Sequence, residues 1–184
     1  SRGLTDLTGI FAAGNCAETI HRVTGKPIVS ALGTTAAKQG RVVGDNLAGR
    51  RSEFSGTLET SIEKVFNLGV GRTGLTSQQA FRGGFEADSV RIEARDRAAY
   101  YPNAQPVHVK LVFERKTLRL LGGQIVGGGQ SAKRIDTLVA ALSAEMTVRD
   151  LAQLDLAYAP PFGTLWDPIQ IAANVALRKE GFRF

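Results

Sequence analysis

The chain has 184 residues, 43% of them hydrophobic and 22% charged, with a formal net charge of +6. That is room for one domain of ordinary size, or for one domain and part of another, in the proportions of a soluble globular protein. No apolar run approaches the roughly 18 residues of a membrane span, no basic segment followed by an apolar core opens the chain, and the one cysteine makes no internal disulfide, which fits a reducing cytoplasm. The positive charge suits anions such as nucleotides or coenzyme A. It forms no stripe interleaved with aromatics, since Arg91, Arg95 and Arg97 alternate with Glu93 and Asp96, so a nucleic-acid partner is not expected.

In chain order, the stretch GIFAAGNC at 9–16 predicts a short apolar strand over 9–13, ended by Gly14 and Asn15. Residues 34–47 have helical spacing, with Ala37, Val42 or Val43, and Leu47 on one face, and Gly49 as the stop. The polar run GRRSEFSG at 49–56 is the best linker. A strand is predicted over 62–72. TSQQ at 76–79 is a capping box for a short helix that Gly83 and Gly84 end. Val90, Ile92 and Ala94 alternate with charged residues, and Val107, Val109, Leu111 and Phe113 alternate likewise, so each set predicts a strand with one buried face. A third strand covers 120–126, where glycines suggest a bulge or close packing.

Ile135, Leu138, Val139, Leu142 and Met146 share a helical face. Thr147 starts a shorter helix, and Asp167-Pro168 opens a last one reaching about Lys179. This is an α+β fold with an antiparallel sheet, not a βαβ alternation.

Several residues invite a chemical role. Gly69-Val-Gly71-Arg-Thr-Gly74 spells a dinucleotide fingerprint, but its third glycine precedes the helix and the helix is short, so a turn between strand and helix is expected there. Cys16 is expected to be a buried small hydrophobe, with no second cysteine to resolve a disulfide. His21 and His108 lack metal-ligand spacing, and no metal site is expected. Tyr100-Tyr101-Pro102 and the segment LAYAPPF at 156–162 place tyrosines in proline-fixed loops. A phenol held there can donate a hydrogen bond to a substrate, or can pack a loop corner; the sequence favours neither.

GIFAAGNCAE, TTAAKQGRVVGDNLAG, GTLETSIEKVF, RTGLTSQQA, AYYPNA, GGQIVGGGQSAKRIDTL and LDLAYAPPFGTLWDPI together resemble the C-terminal part of the pyridine nucleotide-disulfide oxidoreductases. The branch resembled is that of coenzyme A-disulfide reductase, NADH oxidase and persulfide reductase, and the resemblance covers essentially the whole chain. It implies that residues 1–50 are the closing piece of an FAD-binding domain and that 55–184 are a dimerisation domain. The FAD fingerprint, the redox cysteine and the NAD(P)H domain of the family are not in this sequence. The chain is therefore expected to be part of an FAD- and NAD(P)H-dependent enzyme, colourless and inactive alone, with no cofactor bound.

In the family, the dimerisation domain of one subunit covers the active site of the other, where its tyrosines help. That role carries over to Tyr100 and Tyr158, with Tyr101 in reserve. Gly14 and Asn15 fall where a Gly-Asp pair contacts the flavin ribityl chain. The asparagine oxygen still accepts a hydrogen bond but loses the assistance of charge. Trp166 falls in the substrate loop, where a coenzyme A-disulfide reductase can carry a lysine for a phosphate, and Ala37 falls where some relatives have histidine. Both changes weaken a coenzyme A-disulfide reading and leave persulfide or oxygen as the acceptor.

A twofold homodimer is expected, with a thiol or disulfide substrate or oxygen in the parent and neither a nucleic acid nor a membrane as partner. The 107–126 strands and the last helix (Ile169, Ile171, Ala172, Val175) offer more apolar surface than one small sheet needs, unless they bury one another. The alternative is a stand-alone homodimerisation module without catalytic activity.

Overall fold

The computed structural model describes residues 2–182. By internal packing the chain divides into two units, Ser1–Glu59 and Thr60–Phe184.

The first unit contains a small antiparallel pair, β1 (Glu18–Ile20) with β2 (Pro27–Val29), and one long helix, α1 (Gly33–Leu47). Neither short strand carries an apolar alternation, so periodicity could not find them. Residues 9–13 do not form the predicted strand: only Phe11 makes a bridge, to Leu4. The reason is local. Gly9 (φ 80°) and Gly14 (φ 86°) turn the backbone at both ends, and the chain folds back on itself through Thr5 N–H to Ile10 O (3.0 Å) and Ala12 N–H to Gly3 O (2.8 Å).

The helix forms where expected but turns another face inward. Thr35, Gln39 and Val42 are buried, whereas Ala37 is exposed and Leu47 is 66% exposed. The interior they face is largely polar: Ser30 Oγ donates to Thr35 Oγ1 (3.4 Å), which donates to Thr57 Oγ1 (3.3 Å).

The second unit is an antiparallel sheet of five strands, β3 (Ser61–Val65), β4 (Leu68–Gly74), β5 (Ala87–Arg95), β6 (Pro106–Glu114) and β7 (Leu120–Gly128), in the order β3-β4-β7-β6-β5. The predicted strand over 62–72 is thus two strands in a hairpin. Its turn runs through Phe66 at φ 52°, a conformation that the sequence does not announce with glycine. The alternating residues of β6 point to one face, where Val107, Val109, Leu111 and Phe113 are fully buried.

A 3-10 turn (Ser131–Arg134) runs into α3 (Ile135–Ser143) and packs on that face over β4 and β7. α5 (Pro168–Lys179) packs over β5 and β6, and its Lys179 Nζ donates to Asp88 Oδ1 (2.7 Å). Ile135, Leu138, Ile169, Ala172, Ala176 and Leu177 close the core. The opposite face carries Ser89, Arg91, His108, Lys110, Gln124 and Val126 around an open depression.

This packing accounts for the glycines. A Cβ on Gly71 would stand 2.9 Å from Ala132 O and 3.1 Å from Ile135 Cβ, and one on Gly123 would meet Leu138. Gly69-Val-Gly71-Arg-Thr-Gly74 is therefore neither a phosphate loop nor the expected turn. It is strand β4, kept bare so that the 3-10 turn and α3 can lie against it. β7 also shows the irregularity its glycines suggest, a register shift against β6 at Val112 and Phe113.

Three helices open with the same device. Thr76 with Gln79 begins α2 (Ser77–Arg82), Thr147 with Asp150 begins α4 (Val148–Ala152), and Asp167 with Gln170 begins α5. α3 ends at Ser143, so Met146 lies beyond it.

The apolar surface expected to spare for a dimer is spent inside the chain. Val107, Val109, Leu111, Phe113, Leu120, Leu121, Ile125 and Ile169 are buried, and Ile171 and Val175 are half-buried. Exposed apolar side chains stand elsewhere: Ile62, Val65 and Phe66 at the β3–β4 hairpin, Phe81 on α2, and Phe162, Leu165 and Trp166 before α5.

Candidate functional site

Tyr100 and Tyr158 come from separate loops of the second unit. Tyr100 lies in the 97–104 connection from β5 to β6. Asp96 closes the neck of that loop: its N–H donates to Gln105 O (2.9 Å), and its Oδ1 accepts from Gln105 N–H (2.8 Å). Its other oxygen accepts from Arg97 Nη2 at 2.9 Å. Burial pushes the Asp96 carboxyl up, but the Arg97 and Gln105 hydrogen bonds and the charges of Arg97 and Arg134 outweigh it and hold the group below its ordinary range. Inside the loop, Tyr101 N–H donates to Ala98 O (2.9 Å).

Tyr158 precedes the two prolines of a turn in which Phe162 N–H and Gly163 N–H both reach Ala159 O (2.9 and 3.1 Å). The Tyr158 pKa is raised, first by loss of solvation and then by the charge and hydrogen bonding of Tyr100. Tyr100 is 79% exposed and Tyr158 44% exposed.

Arg134 ties the two loops, and sequence reasoning missed it. Its Nη2 donates to Asp96 O (2.7 Å) and Phe162 O (3.0 Å), while its Nε donates to Asp167 Oδ2 (3.0 Å). Asp167 Oδ1 meanwhile caps α5 by accepting from Ile169 N–H (2.9 Å). An arginine just before an apolar helix looks like a solvated flank, and no local pattern reveals three partners so distant in sequence.

Trp166 is 55% exposed and lines a depression with Ala152, Gln153, Ile171, Asn174, Val175 and Arg178, and among the described residues that line it Arg178 is the one cation.

In the first unit, Gly14 takes the left-handed turn that glycine allows, and its N–H donates to Gln39 Oε1 (2.8 Å) from α1. Gln39, also missed, thereby fixes the turn and leaves the exposed Asn15 side chain as the free polar group. An amide so placed fits one hydroxyl of a polyol such as the ribityl chain, accepting or donating. Cys16 is exposed rather than buried, because this turn carries it outward, with Sγ donating to Ala13 O at 3.4 Å. Among the described residues, no group of three or more His, Cys, Asp or Glu is placed to hold a metal, and no helix is long and apolar enough to cross a membrane.

Residues 60–168 match the model of the pyridine nucleotide-disulphide oxidoreductase dimerisation domain. The chain is 41% identical over 171 residues to an NAD(P)H sulfur oxidoreductase (CoA-dependent) of Pyrococcus furiosus, covering 93% of this chain and 38% of the relative. It is 29% identical to a coenzyme A disulfide reductase of Staphylococcus epidermidis, covering 91% of this chain and 38% of that protein. Among solved structures, an NAD-dependent persulfide reductase from A. fulgidus superposes with a TM-score of 0.94 at 44% identity, over 97% of this chain and 33% of that one. A water-forming NADH oxidase from Lactobacillus brevis gives 0.89 at 31%, over 92% and 38%. The chain thus spans under two-fifths of the length of the relatives it matches. With its antiparallel sheet and helices arranged as in those structures, the chain belongs to the pyridine nucleotide-disulphide oxidoreductase family, through that family's dimerisation domain.

Proposed function

We propose that this chain is the C-terminal part of an FAD- and NAD(P)H-dependent oxidoreductase, in which residues 60–184 pair two subunits and present Tyr100 and Tyr158 to the partner's active site. The observation that carries this reading is that Tyr100 and Tyr158 stand exposed on two loops from different parts of the chain that Arg134 ties together. A pair of phenols can donate to a developing thiolate or oxyanion and share its charge. Residues 1–59 contribute the end of the flavin site, where Asn15 is the group free to meet the ribityl chain; the flavin, once bound, relays electrons from the nicotinamide.

The acceptor we favour is a persulfide or related sulfur compound. The sulfur and persulfide reductases compared here share 41% and 44% identity with the chain, against 29% for the coenzyme A disulfide reductase. Among the described residues, none that lines the depression beside Trp166 is a lysine. The 184-residue chain alone is proposed to be a colourless, inactive homodimer of the cytoplasm.

The test is to express the full coding sequence and assay NAD(P)H consumption with persulfide, coenzyme A disulfide and oxygen. Tyr158→Phe should lower turnover while leaving flavin content at one per subunit. A full coding sequence that encodes no flavin fingerprint and no N-terminal cysteine would sink the proposal. It would favour instead a stand-alone dimerisation module, a reading that the self-sufficient core of the second unit supports.

A further inference from the structure

We propose that Arg134 is a positioning residue, whose guanidinium gathers the Tyr100 loop and the Tyr158 loop so that the two phenols are presented as one pair. What the pair serves rests on the function proposed above; how it is held does not.

The side chain of Arg134 is only 17% exposed, as is that of Asp167. A cation so placed needs full compensation. It receives compensation from three directions: the Asp96 carbonyl at the neck of the Tyr100 loop, the Phe162 carbonyl in the turn after Tyr158, and the Asp167 carboxylate at the start of α5. The planar fork of guanidinium donors suits this, because Nη2 can serve two carbonyls while Nε meets the carboxylate.

Helix electrostatics give no other reason for the position. Arg134 precedes α3 and its Asp167 partner precedes α5, and a cation beside a helix N-terminus is unfavourable. Other bonds close each loop on itself, through Asp96 with Gln105 and through Ala159 with Phe162 and Gly163. Arg134 joins one loop to the other, through Asp96 O and Phe162 O.

The test follows each phenol of the 184-residue chain, labelled with 13Cζ-tyrosine, by NMR during a pH titration. Tyr100→Phe first sets the scale: its loss should move the Tyr158 midpoint down, towards the ordinary tyrosine value of about 10. Arg134→Lys keeps the charge but replaces the fork with a single ammonium. It should lower the Tyr158 midpoint by a comparable amount while the circular dichroism spectrum stays native. A merely structural arginine would change the melting temperature and leave that midpoint in place.

If Arg134→Lys does not fold, Asp167→Asn carries the same readout, since it keeps an oxygen to cap α5 and removes the charge that Nε meets; a smaller downward shift is then expected. An unchanged Tyr158 midpoint in the folded Arg134→Lys chain, or in Asp167→Asn where that variant is the one used, overturns the proposal. So does an unchanged midpoint in Tyr100→Phe. None of these outcomes depends on flavin or turnover, so the proposal can fail while the oxidoreductase reading stands, and the reverse.

Discussion

The two units of this chain are built on opposite principles. In Thr60–Phe184 the interior is apolar and layered, with Phe113, Leu111, Leu120, Leu121 and Ile125 of the sheet under Ile135, Leu138, Ile169 and Leu177 of the helices, all essentially inaccessible. In Ser1–Glu59 the buried hydrophobics are Val23, Val42 and Leu58, outnumbered by Thr19, His21, Ser30, Thr35, Gln39 and Thr57. Large apolar side chains there lie outside instead: Leu7 is 64% exposed, Val29 62% and Leu47 66%. Since burial of apolar surface is the main favourable term in folding, the second unit can hold itself together and the first has little with which to do so. Under the function proposed above, in which this unit ends a flavin site, other chain would cover that surface.

The largest expected effect is in the sheet. Phe113→Ala should cost the second unit about 3–5 kcal/mol in urea unfolding, because it empties a fully buried site. Amide exchange on the unaltered chain should show β6 and β7 protected up to the global limit and residues 18–30 exchanging by easier local openings. Equal protection in both would break the contrast.

A smaller loss is expected from adding rather than removing atoms. A Cβ on Gly122 would collide with the backbone of Leu75, so Gly122→Ala should cost about 1–3 kcal/mol, whereas the same change at exposed Gly40, which has open space around it and sits in the helix interior, should stabilise α1 by up to about 1 kcal/mol. Paired thermal melts would separate the two.

Acid should act on the second unit through Asp88 and Asp96. Burial pushes the Asp88 carboxyl up, but hydrogen bonds from Lys179 and Ser89 N–H and the charges of Lys179 and Arg115 hold it below its ordinary value, as Asp96 is held. A depressed carboxylate contributes stability that is fully present above the unfolded value of about 3.9 and lost as pH falls through the folded one. The melting temperature should therefore fall below about pH 4, and Asp96→Asn should start lower and fall less steeply. An unchanged acid limb in that variant would remove Asp96 from the account.

The smallest effect is expected in the first unit. Cys16→Ser should alter stability by no more than about 0.5 kcal/mol, since the side chain is exposed and its one hydrogen bond is to a neighbouring carbonyl. In the native chain the thiol should react at once with a disulfide reagent. A thiol that reacts only on unfolding would show that this surface is covered in solution.

How far the sequence could be read follows the same division. In the second unit, alternation in 90–94 and 107–113 marks strands that have one wet and one dry face, and the Asp167-Pro168 start of α5 is local chemistry; the structure agrees with both. Reading failed where the determinant was not local. The turn at Phe66 uses a positive φ without glycine, and the glycines of β4 answer to a helix some sixty residues onward that lies on top of them. In the first unit an apolar stripe was the wrong guide to α1, because the surroundings it meets are hydroxyls and an amide. The tyrosines were legible as rigid loop residues, and Arg134, which joins their loops, was not.

That junction has a consequence for anyone exchanging parts among members of the family. One side chain with three partners makes those partners interdependent, so changes at Asp96, in the 159–163 turn and at Asp167 should not add. A loop transplanted from a relative would arrive with its own length and tilt but would have to offer its carbonyl to the same guanidinium. Grafts that move the two loops and the residue at 134 as a set should therefore succeed more often than grafts of either loop alone.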